Sequence, residues 1–315
     1  MRKHLRALIA MTFFLLLAGG LCAQGVPRSW KPLSIPLPPG VQAFEMKTDQ
    51  PLRAWLVIAN IGLPRLECRP MVSRARLGKE PLESLARSEG ALIAVNASFF
   101  DLTSKPCRIA GWLVLNGKQL SPPLAFAQRK GLKFPVARAA LLWTAPDTLR
   151  TAWVRLVGET VMEVDRPIPN RHLKPASAVK ARVPGHPVEK VLHAVGAGPM
   201  LVRKGKVHVT REEEVLFSGR DDRHPRTVVG LKGKKIYLMI IDGRQPESTG
   251  ASLLQTARLI QPWGVEEAMN LDGGGSSTLI ISGKLINRPL GGTHQRKVPS
   301  GIGIFRLPPP RPKEG

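Results

Sequence analysis

The tightest constraint on the fold is the segment 265–281. Apolar Val265, Ala268 and Met269 lead into Asn270-Leu271-Asp272-Gly273-Gly274-Gly275-Ser276-Ser277-Thr278, and Leu279-Ile280-Ile281 follows as a short apolar run closed by Ser282-Gly283. The pattern reads strand, tight polar loop, strand. Consecutive glycines let the backbone adopt positive φ and bring N–H groups close to a bound group. The loop is therefore expected to form an anion nest with Asp272 and Asn270 at its rim. An ordinary solvent-facing turn has no use for three glycines followed by Ser-Ser-Thr.

Short apolar runs separated by Gly and Pro recur along the chain. Segments 41–48, 52–60 and 65–72 read as an antiparallel meander, and 91–95 as a buried strand delivering Asn96-Ala97-Ser98-Phe99-Phe100-Asp101. Further strands are expected at 112–115, 138–143, 151–156, 192–202, 206–210, 226–231 and 235–241, the last ending in Asp242-Gly243-Arg244. Helical spacing of Leu82, Leu85 and Ala86 after Pro81, and of Leu253, Leu254, Ala257 and Ile260, predicts helices over 80–88 and 251–260. One domain is expected over 41–306. Residues 24–40, with five prolines, read as an extended linker. Segment 163–190, rich in Pro, Arg and Lys, reads as an exposed basic insertion, and 307–315 as a disordered tail.

Residues 1–23 have the three-part form of a secretory signal: Arg2, Lys3 and Arg6, an apolar run, then small residues to Ala23. The expectation is an exported protein, periplasmic or extracellular; a retained N-terminal anchor is the alternative. An oxidising compartment makes Cys68 and Cys107 a disulfide candidate, with two buried free thiols as the other reading. The chain carries 47 Lys plus Arg against 23 Asp plus Glu. That balance favours polyanionic partners. Aromatics are only 5% and no nucleic-acid-binding motif is visible, which argues against nucleic acid. Phosphorylated or anionic glycans fit better, and a membrane would be met only through surface charge or the anchor.

Polar clusters at strand ends are where rigid scaffolds display functional groups. Asp242 and Asp272, brought into one cleft, would form a carboxylate pair for acid–base work on an acetal, or ligands for a divalent cation such as calcium. Arg226, Arg244 and Arg288 suit bidentate recognition of phosphate or carboxylate. The glycine run lacks the Lys of a phosphate-binding P-loop, and no Gly-x-Ser-x-Gly elbow surrounds Ser276 or Ser277. His193, His208, His224 and His294 lack zinc-site spacing. Asn96-Ala97-Ser98 matches a glycosylation sequon but falls where its strand enters the core, so it is read as coincidence.

In order, Asn96 to Asp101, Gly198-Pro199-Met200-Leu201-Val202, Arg226-Thr227, Asp242-Gly243-Arg244, Asn270 to Thr278 and Asn287-Arg288-Pro289 resemble the phosphodiester glycosidase family. Ser98 stands where the family commonly has Gly. The resemblance implies an α+β fold, a large mostly antiparallel sheet packed with a few helices. It also implies hydrolysis of a sugar joined through its anomeric carbon to phosphate. On that basis Asp272 and Asp242 are the catalytic candidates. The substrate-binding candidates are Asn96, Asp101, Arg226, Thr227, Arg244, Asn270, Gly273, Gly274, Gly275, Ser276, Ser277, Asn287 and Arg288. The expected function is an exported hydrolase of a sugar-1-phosphodiester in a cell-envelope glycan or related anionic glycoconjugate. Two rival readings remain: a non-catalytic binder of anionic envelope glycopolymers, and another exopolysaccharide- or peptidoglycan-processing glycosidase.

Overall fold

The structure, a computed structural model, describes residues 26–48, 50–216, 223–289, 292 and 294–308. The expected signal 1–23 and the tail beyond 308 lie outside them. Every strand pair described is antiparallel.

The strands are shared among three sheets of eight, seven and five strands and a two-stranded hairpin, rather than gathered in one large sheet. At the centre of the eight-stranded sheet, Leu52–Asn60 pairs with Lys235–Ile241, which pairs with Arg226–Lys232, which pairs with Glu267–Asn270. These strands are apolar on both faces. Trp55 and Val57 enter the main core while Ala54, Leu56 and Ile58 face a second core. The main core also takes Leu113, Leu141 and Trp143 from the seven-stranded sheet and Ile93, Val95, Leu279 and Ile302 from the five-stranded one. A buried hydrogen bond from Trp143 Nε1 to the Cys68 carbonyl, 2.7 Å, ties those two sheets together.

The helices fall where their spacing places them. Helix α1, Leu82–Glu89, buries Leu82, Leu85 and Ala86 and stops at Gly90, whose φ of 73° is the left-handed cap glycine favours. Helix α2, Leu253–Ile260, opens on a capping box formed by Ser252 and Gln255 and packs Ala257 and Ile260 on the eight-stranded sheet.

Several local expectations are corrected. Leu66–Val72 does not complete a meander; it pairs with Ser300–Arg306 in the five-stranded sheet. The run 192–202 divides into His193–Gly196 in one sheet and Met200–Arg203 in another, because Gly198, at φ 118°, turns the chain between them. Residues 24–40 are not simply a linker. Trp30–Pro32 forms an edge strand on Val41–Thr48, and Trp30 sets its ring edge-on to Trp263 at 5.5 Å. Proline is tolerated there because an edge strand needs no donor on its outer side. Segment 163–190 is likewise only partly exposed. Ile168 is fully buried, and the Asn170 amide donates to the Pro135 and Glu213 carbonyls at 2.8 and 3.0 Å. These anchors are single residues at irregular spacing and leave no periodic trace. Cys68 and Cys107 are both free, Cys68 facing the main core.

Candidate active site

Five strand ends meet at one edge of the molecule. Asn96 closes Ile93–Asn96, Arg226 and Thr227 open Arg226–Lys232, Asp242 follows Lys235–Ile241, Asn270 closes Glu267–Asn270, and Leu279 opens the strand beyond the glycine loop. The loop thus carries the chain from the eight-stranded sheet to the five-stranded one. Backbone bonds fix it along its length: Leu271 N to Thr227 O, Asp272 N to Ala97 O and Gly274 N to Pro225 O, each 2.8 Å.

Asn96 organises this junction. It is fully buried, its Oδ1 accepts the Thr227 hydroxyl at 2.8 Å and the Thr278 N–H at 3.2 Å, and its Nδ2 donates to the Asp272 carbonyl. Asn96 and Thr227 therefore hold the loop rather than a ligand, and the sequon is inaccessible. Asn287 does the same on the far side. Its Oδ1 accepts Leu279 N at 2.8 Å, and its Nδ2 donates to the Ser277 carbonyl at 2.9 Å and to Asp242 Oδ1 at 2.8 Å.

The two aspartates have different surroundings. Asp242 is buried, its carboxylate taken by Asn287 and the Arg288 N–H. Burial raises its pKa, offset by the Asn287 and Arg288 bonds, by Arg53 and by Gln245. Asp272 has fewer compensating partners. Burial pushes its carboxyl up to about 6, against a smaller opposing pull from Ser276, the Arg296 guanidinium and the Gly273 backbone. The Ser276 hydroxyl approaches the carboxyl without an aligned hydrogen bond. A carboxylate with that pKa changes protonation near neutrality, as acid–base and charge-stabilising groups in active sites do.

Beside Asp272 opens a cleft of about 670 Å³, lined by Asn270, Gly273, Gly274, Gly275, Phe99, Pro199, His224 and four arginines: Arg129, Arg226, Arg244 and Arg296. Arg226 Nε donates to the Ala251 carbonyl at 2.9 Å, which fixes its guanidinium, and Arg244 Nη2 lies 3.1 Å from His224 Nδ1. Arg244 packs over Gly274, where an added Cβ would meet Nη2 at 3.4 Å and where φ is 60°. The glycines thus admit an arginine as well as a backbone turn. The anion nest is narrower than expected, since the Gly274 N–H is spent on Pro225.

Asn270 lines the cleft with a buried Oδ1 that has no partner, and the hydroxyls of Ser276, Ser277 and Thr278 are buried and unpartnered too. Unmatched buried polar atoms mark places where water or a ligand completes the bonding. Not every candidate comes to this cleft. Asp101 holds its own turn, accepting the Thr103 N–H and hydroxyl at 2.9 and 2.7 Å, and its carboxyl is held below the usual range by them. Arg288 pairs with Glu247 at 3.5 Å, and neither it nor Asp242, Asn287, Ser276 or Ser277 lines the cleft, while Asp272 lies between lining residues Asn270 and Gly273 without lining it itself. Arg129 and Arg296 line the cleft but carry no sequence signal, because one sits on a hairpin and the other in an aperiodic run. Among the described residues, no three His, Cys, Asp or Glu side chains are grouped to hold a metal.

The profile of the phosphodiester glycosidase family matches residues 89–305, which include every strand end of this junction. The chain belongs to the phosphodiester glycosidase family. It is 25% identical over 219 residues to the Bos taurus enzyme N-acetylglucosamine-1-phosphodiester alpha-N-acetylglucosaminidase, a match covering 66% of this chain and 34% of that protein. The chain therefore spans about a third of the length of that relative. The catalytic domain of the zebrafish N-acetylglucosamine-1-phosphodiester alpha-N-acetylglucosaminidase, auto-inhibited by its pro-peptide, is similar in structure, with a TM-score of 0.58 at 18% identity over 89% of each chain. A hypothetical protein from Synechocystis gives 0.58 at 20% identity over 85% of this chain and 62% of that one. A protein of Burkholderia pseudomallei gives 0.53 at 17% identity, over 81% of this chain and 74% of that one. These structural likenesses speak for the fold.

Proposed function

We propose that this family member hydrolyses a glycosyl phosphodiester in the arginine-lined cleft, releasing a reducing sugar and a phosphomonoester. The observation that carries the reading is Asp272, a carboxyl with a pKa of about 6 set between cleft-lining Asn270 and Gly273. Water adds its oxygen to the anomeric carbon while the bond from that carbon to the phosphate oxygen breaks, the leaving oxygen keeps the electron pair, and the proton the water sheds passes to solvent or to the departing phosphomonoester. Phosphate is already a stable anion, so the step calls for charge stabilisation more than for an acid. Arg226 and Arg244 hold the phosphate. Ionised Asp272 faces the positive charge that develops at the anomeric carbon. Asn270 Oδ1, buried and unpartnered, accepts a sugar hydroxyl. Asp242 positions the 287–288 segment against the loop rather than reacting.

The proposal includes export to the periplasm or cell exterior and a cell-envelope glycan as the source of substrate, supported by the signal-like residues 1–23 and the excess of basic residues. The test is a panel of sugar-1-phosphodiesters assayed for phosphomonoester. Release by the wild type, absent in Asp272→Asn, is expected. No release from any panel member, or wild-type turnover in Asp272→Asn, overturns the reading. Fractionation of cells making the full chain tests export, and recovery of unprocessed protein in the cytoplasm counts against it.

A further inference from the structure

The hairpin of Phe126–Arg129 and Leu132–Pro135 belongs to none of the three sheets. It is nevertheless fixed. Phe134 is fully buried with Ala127, Val136 and Val215, and Val215 is followed directly by Leu216, which lines the cleft. Its two-residue turn, Lys130-Gly131, has φ of 47° and 76°, the geometry of a tight hairpin. Segment 124–137 carries Arg129, Lys130 and Lys133 and no acidic residue. Arg129 reaches the cleft wall.

Among the described residues Arg129 stands without a counter-charge. Its Nη1 donates to the neighbouring Gln128 carbonyl at 3.0 Å, and among the described residues no carboxylate pairs with it. Arg129 acts on the half-buried Arg138 as a like charge, helping to lower its pKa. Elsewhere in the cleft the charges have assignments: Arg296 acts on Asp272, and Arg226 and Arg244 flank the glycine loop. A phosphodiester brings one negative charge, which two guanidiniums satisfy. Arg129 is surplus to it.

We infer that the cleft is built for substrates bearing a second anionic group beyond the scissile phosphodiester, such as a phosphate or carboxylate on the aglycone, with Arg129 at the hairpin tip as its recognition residue. This rests on the phosphodiester reading above. Lys130, next along the tip, extends the positive edge along which an anionic polymer would leave the cleft.

The experiment compares two sugar-1-phosphodiesters sharing one sugar: one with a neutral alkyl aglycone, the other with an aglycone ending in a phosphomonoester. At low salt the second is expected to show kcat/KM about tenfold higher, chiefly through KM, with the advantage shrinking as salt rises. Arg129→Gln, a surface change whose folding is checked by thermal melting, brings the ratio toward one. Equal kcat/KM for the two substrates, or a ratio that Arg129→Gln does not move, overturns the inference. Cleavage of neither substrate is a failure of the glycosyl-phosphodiester reading instead. Calorimetric titration of the wild type with both compounds then decides the inference, and equal affinities overturn it.

Discussion

Asn287 donates its side-chain amide to Asp242 Oδ1 at 2.8 Å, joining the end of a central strand to the segment behind the glycine loop, 45 residues later. The same amide reaches the Ser277 carbonyl, and the amide oxygen accepts Leu279 N. Asn287→Ala strands all three partners in a buried site. We expect a loss of about 2–4 kcal/mol in urea unfolding, the range for breaking a buried network. Asp242→Asn should lower stability and leave the shape of the pH–rate profile unchanged, since the proposed mechanism gives Asp242 the task of supporting the loop rather than reacting.

Asp272→Asn should lower kcat about a thousandfold while the far-ultraviolet spectrum stays native. Its effect on stability has the opposite direction. The folded carboxyl titrates near 6 and the ordinary value is 3.8, so ionisation is disfavoured by the fold. Above pH 6 the folded and unfolded forms are both ionised, and the native state bears the full desolvation cost. Below about pH 4 both are protonated and the cost disappears. The variant should melt above wild type at pH 7.5 and level with it near pH 3.5.

On the proposed mechanism the ionised form of Asp272 is the working one, so kcat/KM should fall on the acid side with a midpoint near pH 6. Arg296 holds that midpoint down by favouring the carboxylate. Arg296→Met should move the acid limb to higher pH, a displacement that a loss of substrate contact alone would not produce.

Cys68 is buried on its strand, and burial pushes its thiol pKa up strongly; Cys107 is only partly covered. A thiol-alkylating reagent at pH 8 should label Cys107 in the native protein and Cys68 only after denaturation, read by mass spectrometry. For protein cleaved after Ala23, which no longer carries Cys22, one alkylation without denaturant and two with it are expected. No alkylation until a reductant is added would show a disulfide instead.

Much of this architecture was legible locally. Leu52–Asn60 and Lys235–Ile241 are near-continuous apolar runs rich in β-branched and aromatic residues, and Leu82, Leu85 and Ala86 recur at helical spacing, so local pattern indicates their form. Positive φ at Gly274 was similarly anticipated by residue type. Sheet membership was not. Strands of like composition, such as Leu66–Val72 and Val41–Thr48, entered different sheets because partners are chosen by packing across the shared core, which no single strand records.

The same division runs through the site. By itself the sequence determined that Asn270 to Thr278 is a tight, chemically loaded loop, and that Asn96, Thr227, Asp242 and Asn287 stand at strand ends. Residue type and strand periodicity are local properties. Only the tertiary structure decided that Asn96, Thr227 and Asn287 spend their polar groups on the scaffold, that Asp242 is satisfied while Asp272 is not, and that Arg129 and Arg296 join the cleft. Hydrogen-bond saturation and desolvation depend on which distant groups arrive at the same point, and that is set by how three sheets close around one core.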